Sequence, residues 1–381
     1  MAEPIRILEI VNVMDRAGLE TMLMNYYRHF NRDQVQLDFL THRSVSGAYD
    51  EEIEQLGGRI YRAPRLYPQN WLKYKRYMKK FFEEHHYPVV HSHIDAMSAF
   101  PLAMARKSGV AVRVAHSHND SVDRDLKYPI KQFARWRLPS IATHYWACSE
   151  NAGAFLFGES NRLNVTVVKN AIDLASFKAS PSARNNARDS LGIAPDQLCI
   201  GHVGRFCEVK NQALLVSLVK ELVKKGTDVV LLLIGDGPLR SEIEIMANDE
   251  GVSEHVCFLG LRDDVNVLMQ AFDILVFPSL HEGIPLTLIE AQATGVPVLT
   301  SDRVASEALI LSNSLAMPLE ADIALWADKV KELADLGRVE NAIRALCKAG
   351  YEINSSAQDL MEKYISLYEE ARRNESCRNR S

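Results

Sequence analysis

The feature that most constrains this chain is a rhythm. Short, almost uninterrupted apolar runs recur along it, separated by stretches of about 10–20 residues with helical periodicity. The first series is "IRILEIVNV" (5–13), "QLDFLTH" (36–42), "PVVHSH" (88–93), "VRVAHSH" (112–118), "HYWACS" (144–149) and "NVTVVKN" (164–170). The second is "LCIGHVGR" (198–205), "DVVLLLIGDG" (228–237), "HVCFLG" (255–260), "DILVFPS" (273–279) and "VPVLTS" (296–301). Runs that do not alternate polar with apolar belong to strands covered on both faces. That means parallel sheets flanked by helices. The expectation is α/β: two doubly wound, Rossmann-like domains, one over 1–175 and one over 176–354. The boundary is expected in the polar stretch 173–190, "DLASFKASPSARNNARDS". A last helix, 355–375, carries Leu360, Tyr364, Leu367 and Tyr368 on one face and is expected to pack back on the first domain.

In such sheets ligands sit beyond the carboxyl ends of the strands. The residues of interest are therefore Asn12–Gly18, His91–His93, His116–Asn119, Gly204–Lys210, Gly235–Pro238 and Ser279–Pro285, facing a cleft between the domains. Nothing matches G-x-G-x-x-G or a P-loop, which argues against a nicotinamide cofactor and ATP hydrolysis. The charge is uneven: 24 Lys/Arg against 19 Asp/Glu through residue 178, then 20 against 30. Neither half is basic enough for a nucleic-acid partner.

No apolar run approaches the roughly 18–20 residues of a membrane span, and the start lacks a signal-peptide pattern. A cytoplasmic location is expected. The cysteines (148, 199, 207, 257, 347 and 377) form no C-x-x-C pair. Reduced thiols are expected, the first five buried and Cys377 in the polar tail.

The most informative stretch is "HEGIPLTLIEAQATGVPVLTSD" (281–302). A strand ends, a turn carries Glu282 and Gly283, and Pro285 is placed to begin a helix. The first amides of that helix, on Leu286, Thr287 and Leu288, suit a diphosphate. Glu290, one and a half turns inside, suits the hydroxyls of a ribose, and Glu282 those of a sugar. The bland alternative is a capping acid and a helix acid in a salt bridge. In "GHVGRFCEVKNQ" (201–212), Arg205 and Lys210 could clamp the same diphosphate or simply be solvated loop charges.

Taken together, "GRFCEVKN", "IGDGPLR", "VCFLG" and the two-Glu stretch with seven residues between its acids resemble the signature blocks of retaining GT-B glycosyltransferases of family 4. The likeness is strong over 198–302 and looser before. The resemblance implies a nucleotide-diphospho-sugar donor held by the second domain, with no metal and no cofactor. It implies Arg205 and Lys210 as the diphosphate clamp, Glu282 near the donor sugar and Glu290 on the ribose. It further implies that Gly204, Gly235, Leu261, Gly283, Ile284, Pro285, Leu286 and Thr287 line the donor site. In the first domain it points to His116 facing the donor sugar, with His118 in reserve and Asn119 beside them. "AHSHN" is similar to subfamilies that build bacterial exopolysaccharide and capsule. Gly18 stands alone where the family commonly has Gly-Gly. The two His-x-His pairs also invite a metal, weakly.

Two basic-aromatic stretches, 70–82 and 123–138, read either as solvated helix faces or as a surface for anionic lipid, with Trp71, Tyr74, Phe81 and Trp136 at the interface. The expected activity is transfer of a hexose or N-acetylhexosamine from a UDP-sugar to a glycan or polyprenyl-diphosphate-linked sugar. The alternatives are a UDP-sugar 2-epimerase and a non-catalytic nucleotide-sugar-binding protein.

Overall fold

A computed structural model describes residues 3–119 and 127–378, with side chains up to 373. The chain forms two compact units. One runs to Ala171 and takes in the C-terminal helix from Ile353; the other is Ile172–Glu352.

The first unit holds a seven-stranded parallel sheet: β1 (Ile5–Val11), β2 (Val35–Thr41), β3 (Ile60–Arg62), β4 (Val89–Ser92), β5 (Val112–Ser117), β6 (His144–Ala147) and β7 (Val165–Val167), in the order β3-β2-β1-β4-β5-β6-β7. The second holds six parallel strands: β8 (Leu198–Val203), β9 (Val229–Ile234), β10 (Val256–Gly260), β11 (Ile274–Phe277), β12 (Val298–Ser301) and β13 (Ser314–Met317), in the order β10-β9-β8-β11-β12-β13. In each, the order reverses beside the first strand, which is where open sheets take ligands. The helices that matter below are α1 (Gly18–His29), α2 (Trp71–Glu84), α3 (Tyr128–Arg137), α4 (Gln212–Lys224), α5 (Arg240–Asp249), α6 (Leu286–Ala293) and α7 (Ile353–Arg378).

The strands are buried for the reason their sequences suggest. Every residue of β9, "VVLLLI", is buried between helices on both faces. β2 is buried throughout as well, yet it carries Asp38. That carboxylate is tolerated because Arg6 Nε at 2.7 Å, Tyr87 Oη at 2.7 Å and the Arg59 amide at 2.8 Å all donate to it.

Several expectations are corrected. The stretch in which the boundary is expected contains a helix of the second unit, Pro181–Leu191, whose Ser180 hydroxyl accepts from the Ala183 amide. It is anchored by Arg184 and Arg188 on Asp273, at 2.5 and 3.1 Å. Ser-Pro here is an N-cap and first-turn pair rather than a loop. Among the cysteines only Cys148 and Cys199 are buried, and Cys347 is exposed; the Cys377 side chain lies outside the described residues. In α2, Tyr74 and Phe81 face the core, with Met78 between them, so they cannot form a lipid-facing row. Trp71 packs partly on that core, while Leu72, Phe133 and Trp136 are exposed. Residues 123–126 of the second basic-aromatic stretch lie outside the described ones.

Candidate functional site

In the second unit, three loops leave the carboxyl ends of neighbouring strands and lock together through backbone. After β8, the Gly204 amide donates to Ile234 O at 2.9 Å and the Phe206 amide to Asp236 O at 3.1 Å. After β9, Gly235 sits at φ +133°, a conformation L side chains rarely adopt, and a Cβ there would lie 2.2 Å from the Gly204 carbonyl oxygen. Only glycine lets the two loops meet. Gly204 is tight too, with a Cβ falling 3.3 Å from His202 Nε2. Leu280, after β11, donates its amide to Val209 O at 2.8 Å.

This arrangement brings Lys210 onto Glu282, Nζ to Oε1 at 2.7 Å, with the ammonium 4.4 Å from the Phe277 ring centre. The Glu282 backbone is pinned on both sides: its amide donates to Arg303 O at 3.3 Å, and its carbonyl accepts from the Ala305 amide at 3.1 Å. Arg205 is exposed in the same loop as Lys210 and has no acidic partner among the described residues. His202 stacks on Phe277, and burial pushes its imidazole down to about 4, so it is neutral behind the cation.

Helix α6 starts one residue later than the sequence suggests. Pro285 is extended at the N-cap, Leu286 is the first helical residue, and the Leu288 amide is already taken by Pro285 O at 3.1 Å. The first-turn donors for a ligand are therefore those of Leu286 and Thr287 rather than three. Ile284 is buried beneath the turn. Glu290 keeps part of its surface exposed, and partial burial pushes its carboxyl up to about 7. Leu261 is three-quarters exposed after β10. Pro238 lies in a turn before α5.

In the first unit the four histidines converge. Glu9 on β1 is in register with His91 on β4, and His93, His116 and His118 lie on the same sheet face. Tyr364 of α7 covers them. His91 Nδ1 is 2.7 Å from Tyr364 Oη, which donates to Glu9 Oε1 at 2.7 Å. His93 Nε2 is 2.7 Å from Glu9 Oε2, and its Nδ1 is 2.9 Å from His118 Nε2. His91 Nε2 is 3.1 Å from His116 Nδ1. Burial opposes the charge on Glu9, yet His91 and His93 outweigh it and hold the carboxyl well below the usual range. Burial and the neighbouring rings push His116 and His118 well below ordinary imidazoles. The His118 amide and the Asn119 side chain both rest on Asp95, at 2.9 and 2.8 Å. Gly18 opens α1 with nothing near a would-be Cβ, so the fold does not require glycine there.

A buried acid, Glu9, lies against the histidine cluster. Nitrogens of His91, His93 and His116 lie within 4.8 Å of one another. They are hydrogen-bonded to each other, to Tyr364 and to Glu9; His116 Nε2 alone among these three rings' nitrogens is buried with no partner. One bare nitrogen is not a metal-binding set. Glu9 and Tyr364 were not singled out from sequence as site residues. An acid inside "ILEIV" was the available signal.

Residues 16–176 match Glycosyltransferase Family 4, and residues 183–344 match Glycosyl transferases group 1. EpsF of Bacillus subtilis (strain 168), named as a glycosyltransferase, is 39% identical over 373 residues, covering 94% of this chain and 96% of that protein. The chain belongs to the family 4 glycosyltransferases. An Escherichia coli member, UDP-Gal:alpha-D-GlcNAc-diphosphoundecaprenol alpha-1,3-galactosyltransferase, is 23% identical over 301 residues, 76% of this chain and 78% of its own. Among solved structures, Anabaena Alr3699/HepE in complex with UDP and glucose superposes with a TM-score of 0.78 at 20% identity, over 95% of this chain and all of that one. The two parallel-sheet units thus have the GT-B fold of this family. Among the described residues no helix is long and apolar enough to cross a membrane.

Proposed function

We propose that this glycosyltransferase moves a hexose or N-acetylhexosamine from a UDP-sugar to a sugar acceptor with retention of anomeric configuration, without a metal or cofactor. The observation that carries the reading is the grouping in one unit of a cation, Lys210, on the turn acid Glu282, next to the start of α6, which carries Glu290. Arg205, Lys210 and the Leu286 and Thr287 amides take the diphosphate, Glu290 the ribose, and Glu282 the transferred sugar. Gly204, Gly235 and Gly283 let backbone approach the donor. His116 accepts a hydrogen bond from a donor-sugar hydroxyl, with His118 and Asn119 alongside.

The acceptor hydroxyl attacks the anomeric carbon from the leaving-group side. The bond to the diphosphate oxygen breaks, UDP leaves, and the acceptor proton passes to the departing phosphate. The protein contributes position and charge stabilisation at that oxygen. The Escherichia coli relative, which takes UDP-Gal and a diphosphoundecaprenol-linked sugar, supports a UDP-linked donor and a lipid-diphosphate-linked acceptor, and the Anabaena structure with UDP and glucose supports the same donor. The exposed Lys73, Lys75, Arg76, Lys79 and Lys80 of α2, with Leu72, Phe133 and Trp136, support contact with an anionic membrane surface. The test is product analysis by NMR after incubation with UDP-glucose, UDP-galactose and their N-acetyl counterparts, a panel of sugar acceptors, and EDTA. An α-linked product is expected. A β-linked product, or turnover only on adding Mg2+ or Mn2+, would overturn the reading.

A further inference from the structure

We propose that Glu9, Tyr364 and His91 are positioning residues that fix His116 as a neutral imidazole protonated on Nδ1, so that its buried Nε2 is a hydrogen-bond acceptor and selects a ligand hydroxyl over a carboxylate or an ether.

The direction of the hydrogen bonds in the cluster follows from one charge, on Glu9, and one proton on each ring. Glu9 is ionised at the end of two chains, and a carboxylate only accepts. The Tyr364 O–H therefore donates to Oε1, and His93 Nε2–H donates to Oε2. Having used its hydrogen, the Tyr364 oxygen accepts from His91 Nδ1–H. With a single ring proton, on Nδ1, His91 presents a bare Nε2 that can only accept, so His116 must place its proton on Nδ1. His116 Nε2 is left as a bare lone pair, buried and without a partner. On the other chain, His93 Nδ1 accepts from His118 Nε2–H. A buried unpaired acceptor is a lesser cost than a buried unpaired N–H, and it favours a ligand that brings a proton. A carboxylate brought to the same nitrogen would meet lone pair with lone pair.

The tautomer rests on the hydrogen-bond geometry together with an ionised Glu9 and one ring proton on His91. Its use in selecting a hydroxyl rests on the reading of His116 given above. The test is NMR of the full chain with 15N-labelled histidine at about pH 8, where ordinary imidazoles are neutral. The His116 signals are assigned by their loss in His116→Gln. His116 is expected to be protonated on Nδ1 and bare on Nε2. An Nε2–H tautomer, or an imidazolium, overturns the proposal without any variant. In Glu9→Gln the amide must donate to one of the two chains, so either His116 or His118 should move its proton to the other nitrogen. Both unchanged would also overturn it. Tyr364→Phe should keep the wild-type tautomer, because His91 Nδ1 lies 3.3 Å from Glu9 Oε2 and can donate there directly. Adding UDP-glucose or UDP-galactose should shift the bare His116 Nε2 resonance, whereas UDP alone should not. The expected tautomer with an unmoved Nε2 would leave the hydrogen-bond chain standing and overturn the sugar-contact reading.

Discussion

Replacing Glu290 with glutamine removes a charge that the fold disfavours. Burial raises this carboxyl from 4.5 to about 7, so the folded chain holds its proton more tightly than the unfolded chain does. Between those two values the native state binds more protons, and linkage then requires stability to fall as pH rises. At about 1.4 kcal/mol per pH unit the shift corresponds to an upper limit of roughly 3 kcal/mol. Solvent still reaches part of the residue, so about 1–2 kcal/mol is the sounder figure after screening. Wild type should lose this amount relative to Glu290→Gln between about pH 5 and pH 8.5, the window set by the two pKa values. Urea denaturation followed by tryptophan fluorescence reads it, with Trp326 as a fully buried reporter in the second unit. The variant should be the more stable protein at pH 8.5, with little difference at pH 5. Parallel stability–pH curves for the two proteins would refute the raised Glu290 carboxyl.

Two further outcomes follow from the loop geometry. Lys210→Ala, and separately Arg205→Ala, should cut transfer by about 100- to 1,000-fold in kcat, roughly 2.7–4 kcal/mol of lost charge stabilisation, with circular dichroism unchanged; near-normal turnover would remove the diphosphate clamp. Gly235→Ala should lower the melting temperature and weaken UDP binding together, since its Cβ would fall 2.2 Å from the Gly204 oxygen at φ +133° and such strain costs on the order of 1–3 kcal/mol. An unaltered melting curve would show that these loops are free to part.

The inner strands were legible because burial on both faces writes itself as an unbroken apolar run, as in "VVLLLI". The edge strands β3 and β13 escaped because three or four partly exposed residues carry no such run. The helix at 181–191 escaped for another reason: Arg184 and Arg188 hold it by ion pairs to Asp273, so its inner face is polar and mimics a linker. In α2 the aromatic residues drew attention as an interface, yet Tyr74, Met78 and Phe81 recur at helical spacing and form a core stripe. The donor-side loops were readable because Gly, Pro and Glu at fixed offsets sit within 12 residues of one another in sequence. The histidine cluster was half readable. His91, His93, His116 and His118 stand at strand ends, but Glu9 and Tyr364 are 355 positions apart, and nothing local in the sequence joins them.

The proposed function requires the second unit to hold a uridine diphosphate through Lys210, Arg205, the start of α6 and Glu290. Calorimetric titration of UDP into the full chain in EDTA, with Glu290→Gln and Glu282→Gln alongside, tests this most directly. Glu290→Gln should lose roughly 1.5–3 kcal/mol of UDP affinity, the worth of hydrogen bonds to a charged acceptor. Glu282→Gln should keep or slightly raise it, because Lys210 is then released from its 2.7 Å carboxylate partner. Equal losses in both variants, or no UDP binding by the wild-type chain, would contradict the account.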